Sequence, residues 1–373
     1  MLVVHVITGL SIGGAESMLL QLLRASAHGR AKHLVLTLSS ENALKGEVEA
    51  TGVRVINLSE GGKSIFGSLW RARALIKAQC PSLVMSWLHH ADLFAVMLKG
   101  FFPKLPLIWN IRCSKLEPAY LPRRNLLMVS VLARLSGVPT AIVANSKAGM
   151  QAHIAAGYRT EGWRVLPNGF DIERFCPNEA QGLKLRSEAG ISRDAFVVGI
   201  VSRYHPMKGF DLFVRAAARI AAASPRAHFV MVGSGVDWNN RELSNWIGET
   251  GLRERFTLLG ARRDIPQVMN MLDILVSSST SEGFPNVIGE AMACGTPCVA
   301  TDVGDSAYLV GETGKIVAFG SEKALADAAL ELDAMPQAEY KHMREAARRR
   351  ILEQFSINEI STRYQELFNE FKN

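Results

Sequence analysis

The sequence predicts an α/β protein made of two domains, each built on a doubly wound parallel sheet. Three observations predict this class. The chain has 373 residues and is 48% hydrophobic, which is too long for one ordinary core and suits two domains. Short apolar runs alternate twice with helical patterns, as parallel sheets covered on both faces require. Glycines and charged residues follow directly after predicted strands, where such sheets bind ligands.

The first half of the chain supplies one sheet. Short, β-branched and continuous apolar runs predict strands at Leu2–Thr8, Leu34–Leu38, Val53–Asn57, Leu83–Trp87, Leu107–Ile111 and Ala141–Ala144. Apolar residues at helical spacing predict helices at Ala15–Ala27, Ser64–Gln79 and Ala91–Leu98.

The second half repeats the pattern and predicts the second sheet. Its strands are expected at Phe196–Ser202, His228–Val232, Phe256–Leu259, Ile274–Ser277, Pro297–Ala300 and Lys315–Val317. Its helices are expected at Phe210–Ala223, Arg241–Thr250, Ile265–Met271, Val287–Ala293 and Glu322–Leu332.

The turn-rich segment LPNGFD, residues 166–171, predicts the boundary between the domains. We therefore expect a first domain over residues 1–168 and a second over 169–356. The amphipathic segment at about 357–372 is expected to pack back on the first domain, which then includes residues 357–373.

Cysteine content and apolar stretches favour a cytoplasmic protein. Five scattered cysteines do not suit a disulfide framework, and Cys294 and Cys298 lack a second ligand pair for zinc, so we expect them to be small buried side chains. The N-terminal MLVVHVITGL predicts a first strand, since it has no basic region and no cleavage site. The apolar stretches at 83–102 and 126–144 are interrupted by charged residues or proline, which argues against membrane spans.

Charge is divided unevenly between the halves. Residues 1–168 hold 19 Lys and Arg against 8 Asp and Glu, a net charge of +11, and residues 169–373 have a net charge of −4. A basic first half indicates an anionic partner or simply solvated surface charge. No helix-turn-helix or zinc-finger spacing appears, so we expect a membrane surface or a pyrophosphate-linked acceptor rather than nucleic acid.

The strongest motif is STSEGFPNVIGEAMACG, residues 279–295. A strand leads into a turn and then into a helix that begins near Asn286 or Val287. The free amides at such a start bind anions, while Glu282 and Glu290 supply acceptors for ring hydroxyls. A capping turn followed by a surface glutamate is the alternative. Two acids beside an anion site suit a ligand that carries both phosphates and hydroxyls, as a nucleotide sugar does.

Three further motifs follow predicted strands. In VSRYHPMKG, residues 201–209, Arg203 and Lys208 could neutralise a diphosphate leaving group. GLSIGGA, residues 9–15, allows close backbone approach to a ligand but does not fit the dinucleotide-binding pattern. SWLHHADL, residues 86–93, places adjacent histidines after a strand, of which one at most is expected to face a ligand.

Together these motifs resemble family 4 glycosyltransferases of the GT-B fold, which has two Rossmann-like domains and an interdomain cleft. The resemblance rests on Glu282-x7-Glu290 with EAMACGTPCVATDVG after it, the basic pair of VSRYHPMKG, LPNGFDIERF, ANSKAG and GGAE, and covers nearly the whole chain. SWLHHADL and WNIRCS further resemble the branch that builds bacterial envelope polysaccharides, including O-antigen and capsule.

The resemblance implies residue roles. Glu290 would hold the ribose hydroxyls, and Glu282 the donor sugar. Arg203 and Lys208 would bind the diphosphate, and His90, the better match to the family histidine, would act in catalysis. Further substrate contacts are implied for Gly13, Gly14, Arg112, Asn168, Gly283, Phe284, Pro285, Asn286, Val287 and Arg262, with Arg112 on the acceptor side and the loop 260–264 beside the nucleobase.

The resemblance also implies transfer with retention of anomeric configuration and without a bound metal or other cofactor. A UDP-hexose or UDP-N-acetylhexosamine is the expected donor, and GDP-mannose remains open. The expected acceptor is a saccharide or an undecaprenyl-diphosphate-linked saccharide, and LPRRNLLMVSVLARL, residues 121–135, is either a contact with anionic membrane or a packed helix. A nucleotide-sugar epimerase and a non-catalytic nucleotide-sugar-binding protein remain the alternative functions.

Overall fold

The computed structural model describes residues 1–27, 29, 31–61, 64–114, 116 and 122–371. The chain forms two compact units, Met1–Gly169 with Ile357–Asn373, and Phe170–Ser356. The division falls one residue after the predicted boundary.

Unit 1 is built on a seven-stranded parallel sheet with the order β3-β2-β1-β4-β5-β6-β7. The strands are β1 Leu2–Ile7, β2 Lys32–Thr37, β3 Arg54–Asn57, β4 Leu83–Trp87, β5 Leu107–Ile111, β6 Ala141–Ala144 and β7 Trp163–Val165. The helices are α1 Gly14–Ala25, α2 Lys45–Glu49, α3 Ile65–Gln79, α4 His89–Lys99, α5 Arg123–Leu135, α6 Lys147–Ala155 and, from the end of the chain, α15 Ile357–Glu370.

Helices cover both faces of this sheet. Alternate side chains of β1 point to opposite faces, so Val3 and Ile7 join the core under α1 and α15, while Val4 and Val6 join the core under α3, α4 and α5. This explains why the strands are continuous apolar runs in the sequence. The buried face of α15, which includes Tyr364 and Phe368, completes one of these cores.

Unit 2 repeats the layout on a six-stranded parallel sheet with the order β10-β9-β8-β11-β12-β13. The strands are β8 Phe196–Val201, β9 Ala227–Val232, β10 Phe256–Leu258, β11 Ile274–Ser277, β12 Cys298–Thr301 and β13 Lys315–Val317. The helices are α7 Glu179–Glu188, α8 Phe210–Ala223, α9 Arg241–Thr250, α10 Ile265–Met271, α11 Asn286–Ala293, α12 Ser306–Val310, α13 Glu322–Asp333 and α14 Gln337–Arg350.

Several predicted features have a plain counterpart. Cys294 and Cys298 are free and buried in the core of unit 2. Among the described residues, no helix combines the length and the apolar composition needed to cross a bilayer. The segment LPRRNLLMVSVLARL, residues 121–135, corresponds to α5, and its first residue, Leu121, lies outside the described residues.

Candidate functional site

In unit 2, two of the predicted motifs lie in loops that follow neighbouring strands of the sheet. β8 and β11 are neighbours at the point where the strand order changes direction, because β9 and β10 lie on one side and β12 and β13 on the other. Parallel sheets open a crevice at such a point, beyond the carboxyl ends of the strands. The loop with Arg203 and Lys208 follows β8, and the loop with Glu282 follows β11.

Hydrogen bonds tie these two loops together. The Ser278 hydroxyl donates to the carbonyl oxygens of Lys208 at 3.0 Å and Gly209 at 2.8 Å, and the Thr280 amide donates to the Met207 carbonyl at 2.8 Å. Gly209 has φ +62°, and a Cβ there would lie 2.1 Å from the Ser278 carbonyl oxygen. Only glycine permits this close approach, which fixes Lys208 beside the β11 loop.

Lys208 and Glu282 form an ion pair across the two loops. Lys208 Nζ lies 2.6 Å from Glu282 Oε1, and the two side chains are only 21% and 11% exposed. The Ser279 hydroxyl donates to the same carboxylate oxygen at 2.6 Å. Ser279 was not among the predicted site residues, although its position after a strand, in the hydroxyl-rich run 277–281, was a usable signal.

The turn after Glu282 leads into α11. The Asp305 amide donates to the Gly283 carbonyl at 2.9 Å, and Gly304, at φ +59°, approaches the Glu282 carbonyl so closely that a Cβ would lie 2.3 Å from its oxygen. Phe284 is buried and stacks on Phe170. The conformation of this turn is therefore fixed by the packing of Phe284 in the core and by contacts with the loop that follows β12.

Helix α11 begins as predicted, with Pro285 at its N-cap and Asn286 and Val287 as its first residues. The first amides of a helix have no intrahelical acceptor, and the peptide dipoles add partial positive charge there. Pro285 contributes no amide proton, so any anion at this end depends on the residues after it.

Glu290 lies one turn into α11 and is partly buried. Burial raises the pKa of its carboxyl to about 7, while the charge of Arg174 opposes part of that rise. Near neutral pH this side chain exchanges readily between a hydrogen-bond donor and a charged acceptor.

The two other basic residues predicted for the site in unit 2, Arg203 and Arg262, differ in whether they form an ion pair. Arg203 is exposed and makes no ion pair with a described residue. Arg262 is held by Asp264, with its Nε 2.9 Å from Asp264 Oδ1, and this interaction raises the pKa of the guanidinium. The predicted roles of both arginines remain predictions.

Unit 1 has the same arrangement at the junction of β1 and β4, where its strand order changes direction. The glycine motif follows β1, and the paired histidines follow β4. Gly14 has open space where a Cβ would stand, whereas a Cβ on Gly13 would lie 2.4 Å from Glu16 Oε2. Glu16 is buried over the start of its own helix. His90 is exposed, and His89 is partly buried.

Arg112 is engaged inside unit 1. Its guanidinium donates to Asn168 Oδ1 and to the Tyr364 hydroxyl, and it lies over the Trp87 ring at 5.0 Å. Two residues predicted to contact substrate, Arg112 and Asn168, are therefore bonded to each other. The contact also joins the end of β5 to α15.

Two family models match this chain. One described as "Glycosyltransferase Family 4" matches residues 12–174, and one described as "Glycosyl transferases group 1" matches residues 195–334. The second match includes β8, β11 and α11, whereas the first begins after β1 and includes β4.

Curated relatives are bacterial glycosyltransferases. A putative glycosyltransferase, EpsF of Bacillus subtilis, is 26% identical over 307 residues, which cover 80% of this chain and 79% of the relative. The UDP-Gal:alpha-D-GlcNAc-diphosphoundecaprenol alpha-1,3-galactosyltransferase of Escherichia coli is 35% identical over 148 residues, 39% of this chain and 38% of that protein. The chain spans about half or less of the length of several curated relatives that it matches.

A solved structure resembles the whole chain. HepE of Anabaena in complex with UDP has a TM-score of 0.85 and 27% identity, and the match covers 99% of this chain and all of that one. The same protein was solved with UDP-glucose, at a TM-score of 0.81 and 25% identity, with coverage of 99% and 100%. The chain therefore has the GT-B fold, and its two halves match the models of family 4 and group 1 glycosyltransferases.

Proposed function

We propose that this protein is a retaining glycosyltransferase that transfers a sugar from a UDP-sugar donor to a saccharide or lipid-linked saccharide acceptor in envelope polysaccharide synthesis. The observation that carries the proposal is the junction of β8 and β11. There the Lys208–Glu282 ion pair stands beside the first turn of α11. This combination offers positive charge for phosphates and carboxylates for hydroxyls within one pair of loops.

In the proposed reaction the bond from the anomeric carbon to the diphosphate oxygen breaks, and a bond to the acceptor hydroxyl oxygen forms on the same face. The proton of that hydroxyl passes to the departing diphosphate. Lys208 and Arg203 compensate the charge that develops on the departing diphosphate. Side-chain cations aimed at developing charge contribute on the order of 3 kcal/mol each, so the proposed mechanism uses no metal ion at the diphosphate.

The two glutamates have different roles in the proposal. Glu290, near the start of α11, accepts hydrogen bonds from the ribose hydroxyls. Glu282, held by Lys208 and Ser279, faces the transferred sugar. His90 hydrogen-bonds a sugar hydroxyl from unit 1, and its exposed position after β4 supports that role.

A panel of UDP and GDP sugars tests the donor, with the melting temperature as readout and with EDTA present throughout. The proposal expects a UDP sugar to raise the melting temperature of the wild type, with a much smaller rise in Lys208→Ala. No rise with any nucleotide sugar would overturn it. The ligand that binds is then incubated with and without saccharide acceptors, and the anomeric proton coupling of the product reports retention. Conversion of the donor without acceptor would support an epimerase instead.

We further propose that unit 1 contacts an anionic membrane surface at the cytoplasmic face through the first turns of α5. Arg123 and Arg124 are exposed there, and Leu127 is 67% exposed, whereas Val129 and Leu132 are buried in the core. The helix therefore packs at one end and presents two cations and an apolar side chain at the other. Each cation near an anionic surface contributes roughly 1 kcal/mol.

Vesicle flotation tests this contact. The wild type should float with vesicles that contain anionic lipid, and Arg123→Glu/Arg124→Glu should stay at the bottom of the gradient. The matched control, Arg193→Glu/Arg241→Glu, changes the charge equally on exposed positions of unit 2 and should float like the wild type. Equal flotation of the two double variants would refute the α5 contact.

A further inference from the structure

Three side chains of metal-binding type meet in unit 1, and two of them adjoin His90 and Arg112 in the sequence. His89 is the first residue of α4, Cys113 follows β5, and His153 lies in α6. One potential ligand atom from each lies within 4.8 Å of the other two. His89 Nε2 is 3.1 Å from His153 Nε2 and 3.7 Å from Cys113 Sγ.

These separations suit a tetrahedral zinc ion. Zinc bonds nitrogen at about 2.0–2.1 Å and thiolate sulfur at about 2.3 Å, which places two nitrogen ligands about 3.3 Å apart and a nitrogen and a sulfur about 3.6 Å apart. The two distances measured from His89 differ from those values by a few tenths of an ångström. Side-chain adjustments of this size require no movement of the strands or helices.

The orientation of His153 supports the same conclusion. Its Nδ1 lies 2.8 Å from the Gly149 carbonyl oxygen, and only a protonated nitrogen can donate to a carbonyl. The proton is therefore on Nδ1, and the lone pair of Nε2 points at His89. Metal-bound histidines are commonly oriented by such a bond from the other ring nitrogen.

The backbone brings α6 unusually close to Cys113. A Cβ on Gly149 would lie 3.2 Å from the Cys113 carbonyl oxygen and 2.8 Å from the Ser146 hydroxyl. A larger residue would push the first turn of α6 away from the end of β5. Glycine at this position allows His153 and Cys113 to share one site.

The surroundings also include an unpaired acceptor. The buried Asp92 Oδ2 has no hydrogen-bond partner among the residues that the structure describes. Zinc binding would release the proton of the Cys113 thiol to the buffer, and the ion would compensate the charge of the thiolate.

We propose that His89, Cys113 and His153 bind one zinc ion, with water as the fourth ligand. The ion joins the start of α4, the end of β5 and helix α6. It thereby positions His90 and Arg112, each next in sequence to a ligand. Nitrogen and thiolate ligands favour zinc over magnesium or calcium. This inference does not depend on the proposed transferase activity.

Cobalt titration of the metal-free protein, prepared without a histidine tag and with its thiols reduced, tests the site. We expect one equivalent of Co²⁺ to give d–d bands of tetrahedral intensity and a thiolate-to-cobalt charge-transfer band, both lost when Zn²⁺ displaces the cobalt. Cys113→Ser should lose the charge-transfer band, and His89→Gln should bind at least about tenfold more weakly. Cys80→Ser, which changes an exposed free cysteine of the same unit, should behave like the wild type.

A second readout covers variants that fold poorly. Zn²⁺ should raise the melting temperature of the wild type and of Cys80→Ser, and Mg²⁺ should not. A wild type without saturable cobalt binding would overturn the proposal and leave a hydrogen-bonded cluster of neutral side chains. A charge-transfer band that persists in Cys113→Ser would also overturn it, because the thiolate would then come from another cysteine.

Discussion

Replacing Glu290 by glutamine should stabilise the protein above neutral pH while weakening nucleotide binding. Burial raises the pKa of this carboxyl from an ordinary 4.5 to about 7. Below about pH 4.5 the group is protonated in both states. Between about 4.5 and 7 the folded state keeps a proton that the unfolded state has lost, so the contribution to stability falls as pH rises. Above about pH 7 the buried carboxylate lowers the free energy of unfolding by a constant amount, about 3 kcal/mol.

Melting temperatures between pH 5 and 8 measure this effect. At pH 8 the free energy of unfolding of the Glu290→Gln variant should exceed that of the wild type by about 3 kcal/mol, which for a unit of this size raises the melting temperature by about 6–12 °C. At pH 5 the difference should fall below about 1 kcal/mol. The same variant should bind UDP about tenfold more weakly, because a neutral amide accepts a weaker hydrogen bond than a carboxylate does.

Glu249→Gln is the matched control, since Glu249 is exposed on α9 in the same unit. Its melting temperature should follow the wild type at every pH. If wild type and Glu290→Gln lose stability in parallel from pH 5 to 8, the carboxyl titrates normally and the reasoning from burial fails.

Two further predictions concern the same unit. With saturating donor, Lys208→Met should lower kcat by about 10²–10³-fold. The control Lys184→Met, in which the replaced side chain is 77% exposed, should keep the wild-type kcat. Equal kcat values for the two variants would show that Lys208 has no part in the mechanism. Gly289→Ala should cost about 1–3 kcal/mol of unfolding free energy, because its Cβ would lie 2.0 Å from Phe170 Cζ. Gly248→Ala, in α9 with no atom within 4 Å of its added Cβ, should instead raise the free energy of unfolding by up to about 1 kcal/mol. If denaturant unfolding shows no loss of stability in Gly289→Ala, the close packing of Gly289 against Phe170 is contradicted.

Much of the fold could be predicted because buried parallel strands leave a strong local pattern. The predicted bounds of β4, β11 and α8 agree with the structure residue for residue. The elements that were missed lack that pattern. β7 has only three residues, and α14 buries a single alanine, Ala347, along fourteen mostly polar residues. Their stability comes from tertiary contacts, which periodicity does not report.

In the candidate site, too, features with a local sequence pattern could be predicted, and features that depend on long-range contacts could not. Lys208 and Glu282 could be found because each follows a strand within a few residues. The hydrogen-bond partners of Arg112 could not be predicted from the sequence, because Asn168 and Tyr364 lie 56 and 252 positions away. His153 likewise lies 64 positions from His89. Long-range pairing depends on how the sheet orders its strands.

Two acids beside the start of α11, where we propose that the diphosphate binds, would at first sight repel it. The structure reduces this repulsion in two different ways. Glu282 is neutralised by Lys208 at 2.6 Å, and burial raises the pKa of Glu290 to about 7, so that near neutral pH the carboxyl is partly uncharged. If a diphosphate draws Lys208 toward itself, Glu282 regains free acceptor capacity as a sugar hydroxyl arrives. The ion pair would then couple recognition of the phosphate to recognition of the sugar, and a nucleoside diphosphate alone would satisfy only half of the site.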